Sequence, residues 1–423
     1  MKSSKIHFIG IGGIGTSALA QIYHDKGWQV SGSDMKESEI TLRLATKGIQ
    51  IVIGHGEENI KNPDIVVYSP AIPDSNPELL KAKELKIKCQ SYPEALGELT
   101  KDYFTIAIAG THGKSTTTAM TALMMESANL DPTVIIGTKI KEFDNQNYRL
   151  GKSKYLIMEA CEYKGSFQNI QPDILVITNI EADHLDYFKT EENYKNNFAR
   201  LINKLDQNAT LIINKIDKNS IEISKTAPCK VVEYKKAAEL KLKVAGDFNL
   251  QNAGAVQKLG EILKIDHETI KKSLENFEGT WRRMEYKKKI GETQFIDDYG
   301  HHPTEVKATL KAIREKYPTA KILCIFQPHQ YSRTKFFLKD FGTAFTDADQ
   351  VIIPDIYAVR DSEDDLRSVS TDDLVHEINH HGAKAQNGNG LKATAEKIKE
   401  DLKNYDIIVT MGAGNIEDIY KML

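Results

Sequence analysis

In a chain of 423 residues, the segment Gly110-Thr111-His112-Gly113-Lys114-Ser115-Thr116 combines residue types and spacing suited to one kind of chemistry. Glycines let loop amides converge on an anion, a lysine reaches the β and γ phosphates of a nucleotide, and a hydroxyl binds Mg2+. Lys114 and Ser115 are placed for the last two roles. Ile108 stands five residues before Gly113, where the full Walker pattern has glycine, so the segment reads as a shortened phosphate loop. A helix that merely starts with Gly-Lys-Ser is the alternative.

Nucleotide chemistry of this kind needs oxygen or nitrogen donors for the metal. The apolar run Lys154 to Met158 ends at Glu159, and the run Asp173 to Thr178 ends at Asn179, followed by Glu181, Asp183 and His184. Strand ends of an open α/β sheet are where such sheets bind ligands, so Glu159 offers a carboxylate and His184 an imidazole to Mg2+. His184 can equally cap the helix after it. Asp183 reads as a helix cap, a role worth about 1 kcal/mol without any catalysis.

A second glycine loop opens the chain. Gly10, Gly12 and Gly15 follow an apolar run and precede a helical pattern, with Asp34 at the end of the next run. That is the dinucleotide-binding arrangement, in which the acidic residue meets a ribose hydroxyl. Taken alone it leaves three readings open: a nicotinamide nucleotide, another nucleotide-like ligand, or a tight turn. His301 and His302 suggest a zinc pair, but no third ligand stands at fitting spacing.

The elements that must position these residues follow from periodicity. Strands are expected at Lys5 to Ile9, Gln29 to Ser33, Ile65 to Tyr68 and Tyr103 to Ala109, with helices from Thr16 to Lys26 and Thr117 to Ser127. Short apolar runs alternating with amphipathic stretches give parallel sheets, hence an α/β fold. A polar, aperiodic break at Gly97 to Asp102 and a restart near Met284 divide the chain into 1–100, 101–284 and 285–423. Three domains also suit the length, at roughly 150 residues each. The third series runs through KKKIGETQFIDD, ILCIF, QVIIPD and DIIVTMGAG, while Cys229 to Val244 reads as a solvent-faced antiparallel hairpin.

Composition excludes some classes. With 56 basic and 59 acidic residues the net charge is −3, which argues against a nucleic-acid partner. Cys89, Cys161, Cys229 and Cys324 form no close pair, which fits a reduced, cytoplasmic setting. The first residues lack the long apolar core of a signal peptide, and no segment reaches the roughly 18 apolar residues that would span a membrane.

Taken together, GTHGKST, Glu159, TNIEADHLD, the Asn249 and Asn252 pair in GDFNLQNA, the Arg283 region and DDYGHHPTE resemble the Mur ligases, which use ATP to join amino acids to UDP-linked peptidoglycan precursors. GIGGIGTSALA, SGSD, YSPAIP, FQPHQYSRT and GAGNI extend the likeness over almost the whole chain. They point, within the family, to the member that adds L-alanine to UDP-N-acetylmuramate. The nearest rival within the family recycles a tripeptide onto the same sugar. A nicotinamide-dependent dehydrogenase leaves GTHGKST and Glu159 without a job.

The resemblance implies an N-terminal Rossmann-like UDP-binding domain, a central P-loop ATPase domain with a mainly parallel sheet, and a C-terminal Rossmann-like domain. Gly12, Gly13 and Gly15 would hold UDP-N-acetylmuramate, with Asp34, His55 and Ser69 near the nucleotide or sugar, which replaces the dinucleotide reading. Gly110, Thr111, His112, Gly113, Lys114, Ser115 and Thr116 would bind ATP, with Ser115, Glu159 and His184 around Mg2+. Asn249 and Asn252 would approach the adenine, Arg283 the γ-phosphate and Asp298 the nucleotide. Tyr299, His301, His329 and Arg333 would lie near the alanine and the reacting carboxyl. Catalysis would fall to Lys114, Glu159, His184, Arg283, His301 and Arg333. The chain departs from the family at Phe248, often His, at Gln330, Arg in some members, and at Cys161 and Tyr163, commonly Asp and Ser. Phe198 stands where several relatives carry a modified lysine, as expected for the alanine-adding member.

Overall fold

The computed structural model describes residues 4–423. Three sheets carry the fold. The first contains β1 (Lys5–Ile9), β2 (Gln29–Asp34), β3 (Gln50–Ile53), β4 (Ile65–Tyr68) and β5 (Lys88–Ser91), all parallel, in the order β3-β2-β1-β4-β5. The central β1 is buried from Ile6 onward, as a parallel strand covered on both faces must be.

The second sheet contains β6 (Phe104–Ala109), β7 (Thr133–Ile140), β8 (Gln146–Arg149), β9 (Tyr155–Glu159), β10 (Ile174–Ile177), β11 (Thr210–Asn214) and β12 (Lys230–Tyr234). Their order is β12-β11-β10-β6-β9-β7-β8, and only β8 runs antiparallel to its neighbour. Because β6 lies between β10 and β9, the residues that follow each of these strands emerge side by side. Register fixes this: Ile108 pairs with Glu159, and Ala109 with Ile177.

The third sheet contains β13 (Glu285–Ile290), β14 (Thr293–Asp298), β15 (Ile322–Phe326), β16 (Gln350–Ile353), β17 (Ala385–Asn387) and β18 (Ile407–Met411), in the order β13-β14-β18-β15-β16-β17, with β13 antiparallel. Alternation along β15 feeds two cores. Cys324 and Phe326 pack with Leu310, Phe341 and Phe345, whereas Leu323 and Ile325 pack with Ala395 and Ile398 on the other face.

The chain divides into two compact units. One runs to Ala182 and includes Glu192–Lys235 and Asn252–Leu274; the other comprises Asp183–Glu191, Lys236–Gln251 and Glu275–Leu423. Among the described residues no helix is long and apolar enough to cross a membrane.

Two local expectations fail. The expected hairpin at Cys229 to Val244 is a single edge strand, β12, parallel to β11, and residues 235–246 form no strand. Alternating exposure marks an edge strand whichever way its neighbour runs, so the pattern could not decide direction. The expected break from Gly97 to Asp102 is turn only from Lys101 onward; up to Thr100 it belongs to the helix Tyr92–Thr100, whose start is closed by a reciprocal Ser91–Glu94 capping box. Gly97 serves packing there, since a Cβ on it would come within 2.3 Å of the Asn169 carbonyl oxygen.

Candidate active site

The loop after β6 ends at Gly113, in the left-handed region at φ +80°, and the helix Lys114–Ser127 begins at once. A helix N-terminus aimed out of a glycine loop favours anions through its free amides and dipole. Gly110, at φ +138°, has no room for a side chain, because a Cβ would stand 2.0 Å from Thr178 Oγ1. The loop is pinned from β10: Thr178 Oγ1 and Asn179 Nδ2 donate to the His112 carbonyl at 2.6 and 3.1 Å, and the His112 amide donates to Asn179 Oδ1 at 3.0 Å. The His112 ring meets Glu181 at 3.0 Å, and Thr111 Oγ1 bonds the Glu181 carbonyl and Tyr194. Thr116, in the first turn of the helix, is buried. The Asn252 side chain lies against Gly113, so close that a Cβ on the glycine would be 2.4 Å from Asn252 Oδ1.

Ser115 and Glu159 meet at this edge. The hydroxyl donates to Glu159 Oε2 at 2.9 Å, and the Gly137 amide donates to the same oxygen at 2.9 Å. A hydroxyl and a carboxylate are hard oxygen donors, the set Mg2+ takes, so the pair fits that ion. Phe198, at the position of the relatives' lysine, is buried among Phe167 and Tyr194 and offers no such donor.

Lys114 reveals a residue that the motifs did not single out. Its Nζ donates to the Gly110 and Thr111 carbonyls at 2.6 and 3.0 Å and to Glu162, whose two oxygens lie 3.2 and 3.0 Å away. Burial disfavours the lysine charge, but the Glu162 and Glu159 carboxylates more than offset that and raise its pKa above the ordinary value. Cys161 beside it is exposed, whereas Glu162 is buried. What distinguishes this glutamate is its partner Lys114, 48 positions earlier, and the sequence near Glu162 carries no signal of it.

In the first sheet, Asp34 accepts from the Gly12 amide at 2.8 Å, while the absence of a side chain at Gly15 admits the Tyr92 ring. Gly13 precedes the helix Ile14–Asp25. Ser69 follows β4 and touches the same loop, since a Cβ on Gly10 would come within 2.9 Å of the Ser69 Cβ. His55 turns its Nδ1 to Glu78 Oε1 at 3.0 Å and to Ser33 at 3.1 Å. Glu78, fully buried, also takes His7 Nε2 and Ser33 Oγ at 2.8 Å and Asn59 at 2.9 Å. Burial alone would raise its pKa; the hydrogen bonds from His7, Asn59, Ser33 and His55 win and lower it to about 2. Sequence reasoning missed Glu78 as well.

The second unit gathers the remaining residues. Asp183 is not the helix cap expected of it. The N-cap position of the helix Leu185–Phe188 belongs to His184, at φ +53°, whose side chain makes no cap hydrogen bond. Asp183 instead receives Arg333 Nε and Nη2 on one oxygen at 3.1 and 2.9 Å, and Arg333 Nη1 donates to His329 Nδ1 at 3.1 Å. His184 Nε2 lies 3.8 Å from the other Asp183 oxygen. The Arg333 charge strongly depresses the Asp183 pKa against the effect of burial. Gln330, at φ +73°, spends its side-chain amide on the Val359 carbonyl.

His301 Nδ1 donates to the Tyr299 carbonyl at 3.1 Å, leaving Nε2 as the acceptor, and burial lowers the ring pKa to about 4. Burial, His301 and Arg333 together lower His329 to about 3. Both rings are therefore neutral at pH 7. Asp298 accepts the Gly300 and Met284 amides at 2.7 and 2.8 Å, yet burial raises its pKa to about 6. The consecutive arginines divide their work. Arg282 is buried on Asp297 and on the Gly412 carbonyl, at 2.8 and 2.7 Å, while the half-buried Arg283 lies over Tyr299 and 3.7 Å from Glu305. Asn249 donates to the Ala245 carbonyl at 2.7 Å.

The chain is similar to known proteins along its whole length. The chain matches the Mur ligase family catalytic domain over residues 5–104, the Mur ligase middle domain over 108–272 and the Mur ligase glutamate ligase domain over 282–414. It is 41% identical to the UDP-N-acetylmuramate–L-alanine ligase of Clostridium acetobutylicum, over 99% of this chain and 97% of that one. The enzyme of the same name from Acetivibrio thermocellus is also 41% identical, over 100% of this chain and 95% of its own. The crystal structure of the UDP-N-acetylmuramate-alanine ligase of Thermotoga maritima superposes with a TM-score of 0.79 at 28% identity, covering 99% of this chain and 97% of that one. A murein peptide ligase from Psychrobacter arcticus shares the fold, with a TM-score of 0.75 at 20% identity over 99% of this chain and 98% of its own. With all three domain families matched in order and relatives aligned end to end, the chain belongs to the Mur ligase family.

Proposed function

We propose that this chain joins L-alanine to the carboxyl group of UDP-N-acetylmuramate, converting ATP to ADP and phosphate. The observation that carries the reading is its end-to-end agreement with relatives that bear the name UDP-N-acetylmuramate–L-alanine ligase. We place the sugar-nucleotide domain at 1–100, the ATP domain at 101–284 and the amino-acid domain at 285–423.

A carboxylate oxygen is a poor leaving group, so amide formation in water needs the carboxylate activated. A lactyl carboxylate oxygen attacks the γ-phosphorus, the bond to the β-phosphate bridging oxygen breaks, and ADP leaves an acyl phosphate behind. The alanine nitrogen then attacks the acyl carbon and loses its protons, and phosphate departs with the oxygen it gained. Positioned charge is the main demand of the first step. Lys114 and Arg283 meet it, and Ser115, Glu159 and His184 would hold a Mg2+ ion that neutralises phosphate oxygens. His301, with Nδ1–H committed to Tyr299, offers Nε2 to a proton of the amine. Arg333 and Tyr299 orient the carboxyl side, Asn249 and Asn252 take the adenine, and Gly12, Gly13, Gly15, Asp34, His55 and Ser69 take the sugar nucleotide.

Phosphate release by purified protein tests this, with ATP, Mg2+ and UDP-N-acetylmuramate scanned against single amino acids and the recycling tripeptide. The expected result is release that requires both the sugar nucleotide and L-alanine, with a product of matching mass. Release with the tripeptide alone would move the reading to the recycling ligase.

A further inference from the structure

The ammonium of Lys114 has three N–H donors, and three acceptors already take them: the Gly110 and Thr111 carbonyls and the Glu162 carboxylate. A phosphate oxygen that draws on Nζ must displace one of these. The two carbonyls belong to a loop pinned by Thr178 and Asn179, so they do not yield. Glu162 is the anionic partner, the one that a phosphate oxygen would replace charge for charge. Its main-chain carbonyl is anchored by Asn197 Nδ2 at 3.1 Å, and its carboxylate is the one charged acceptor of the three. Both ions are enclosed, with side-chain exposures of 14% for Lys114 and 2% for Glu162. A carboxylate in such a place requires a cation, and a buried ammonium requires an anion.

We propose that Glu162 is a resident counter-anion that competes with nucleotide phosphate for Lys114 and recaptures the ammonium when ADP leaves. This rests on the ATP reading of the loop and adds a positioning residue to it. In this role Glu162 keeps the lysine charged and aimed between turnovers. It also limits nucleotide affinity, because binding must break one ion pair and leave an anion beside the phosphates. The device suits an enzyme that must release ADP in every cycle.

The sign of one substitution separates this from a merely structural role. Glu162→Gln keeps the size and an acceptor oxygen but removes the competing charge. Calorimetric titration with MgADP is expected to give a dissociation constant about tenfold lower than that of the parent enzyme, with Glu162→Asp between the two. A structural glutamate predicts the opposite, weaker binding in both variants, and unchanged or weaker binding by a folded Glu162→Gln protein would overturn the proposal. Should that variant fail to fold, a crystal structure of the unaltered enzyme with MgADP decides. Lys114 Nζ is expected to have left Glu162 for a phosphate oxygen, and an ion pair persisting with ADP bound would overturn the inference. Failure of the unaltered enzyme to bind MgADP at all would instead remove the ATP reading beneath it.

Discussion

Arg333 donates two hydrogen bonds, at 3.1 and 2.9 Å, to a single oxygen of Asp183, a residue 150 positions earlier in the chain. Both side chains are buried, so removing either charge strands the other. Breaking a buried pair on one side costs about 3–5 kcal/mol. Arg333→Met should therefore lower the urea midpoint sharply, while the double variant Arg333→Met with Asp183→Asn should recover part of the loss. Additive losses would show the two residues are uncoupled.

The Ser115–Glu159 contact makes metal dependence the readout for the loop. Glu159→Gln keeps the shape of the side chain but offers Mg2+ a neutral oxygen in place of a carboxylate. The Mg2+ concentration giving half-maximal phosphate release should rise roughly tenfold or more, with unfolding temperature little changed. An unaltered Mg2+ curve would remove Glu159 from the metal site.

Glu78 predicts a pH dependence of stability rather than of activity. Its pKa is about 2 in the folded protein against an ordinary 4.5. A depressed carboxyl pKa contributes stability that is fully present above the unfolded value and is lost as pH falls through the folded one. The shift corresponds to about 3 kcal/mol. Glu78→Gln should cost that order of stability at pH 7, and the difference from the parent should shrink from pH 4.5 toward pH 2. A cost independent of pH would mean that packing, not the charge held by His7, His55, Ser33 and Asn59, sets it.

His301 makes a matching prediction for turnover. Burial lowers its pKa to about 4 from an ordinary 6.5, so the neutral ring that can accept a proton persists well below neutrality. The acid limb of kcat/KM for L-alanine should then lack an inflection near 6.5. His301→Gln should reduce kcat by about 100-fold or more, the scale of a lost general base. An acid limb at 6.5 that disappears in this variant would mean that His301 is the base but titrates at its ordinary value, and an alkaline limb lost in the variant would place a protonated, donor role on it instead.

How far the site was legible depends on how local each role is. The glycine loop between a strand and a helix, and the place of Glu159 at a strand end, were readable because apolar runs, glycines and helical patterns follow one another at short spacing. Glu162 and Glu78 were not, because their partners Lys114 and His7 stand 48 and 71 positions away. Asp183 was misread for the same reason: a carboxylate before a short helix looks like a cap until a buried arginine from elsewhere claims it. The apolar packing of Phe198 against Phe167 and Tyr194 was not legible either, since Phe167 comes from a segment 31 positions earlier.

Gly113 offers the strictest test of the loop itself. Its φ of +80° is costly for any residue with a side chain, and a Cβ would stand 2.4 Å from Asn252 Oδ1. Alanine there must either displace Asn252 or unwind the first turn that presents Lys114 and Ser115. Left-handed backbone in a non-glycine residue costs about 1–2 kcal/mol, which the fold of a chain this size can absorb. Nucleotide binding cannot absorb it, because the amides and Lys114 must converge within a few tenths of an ångström. Gly113→Ala is expected to retain a cooperative thermal transition and lose MgATP affinity by more than tenfold, measured by calorimetry. Unchanged affinity would show that the nucleotide is held elsewhere than at the end of β6.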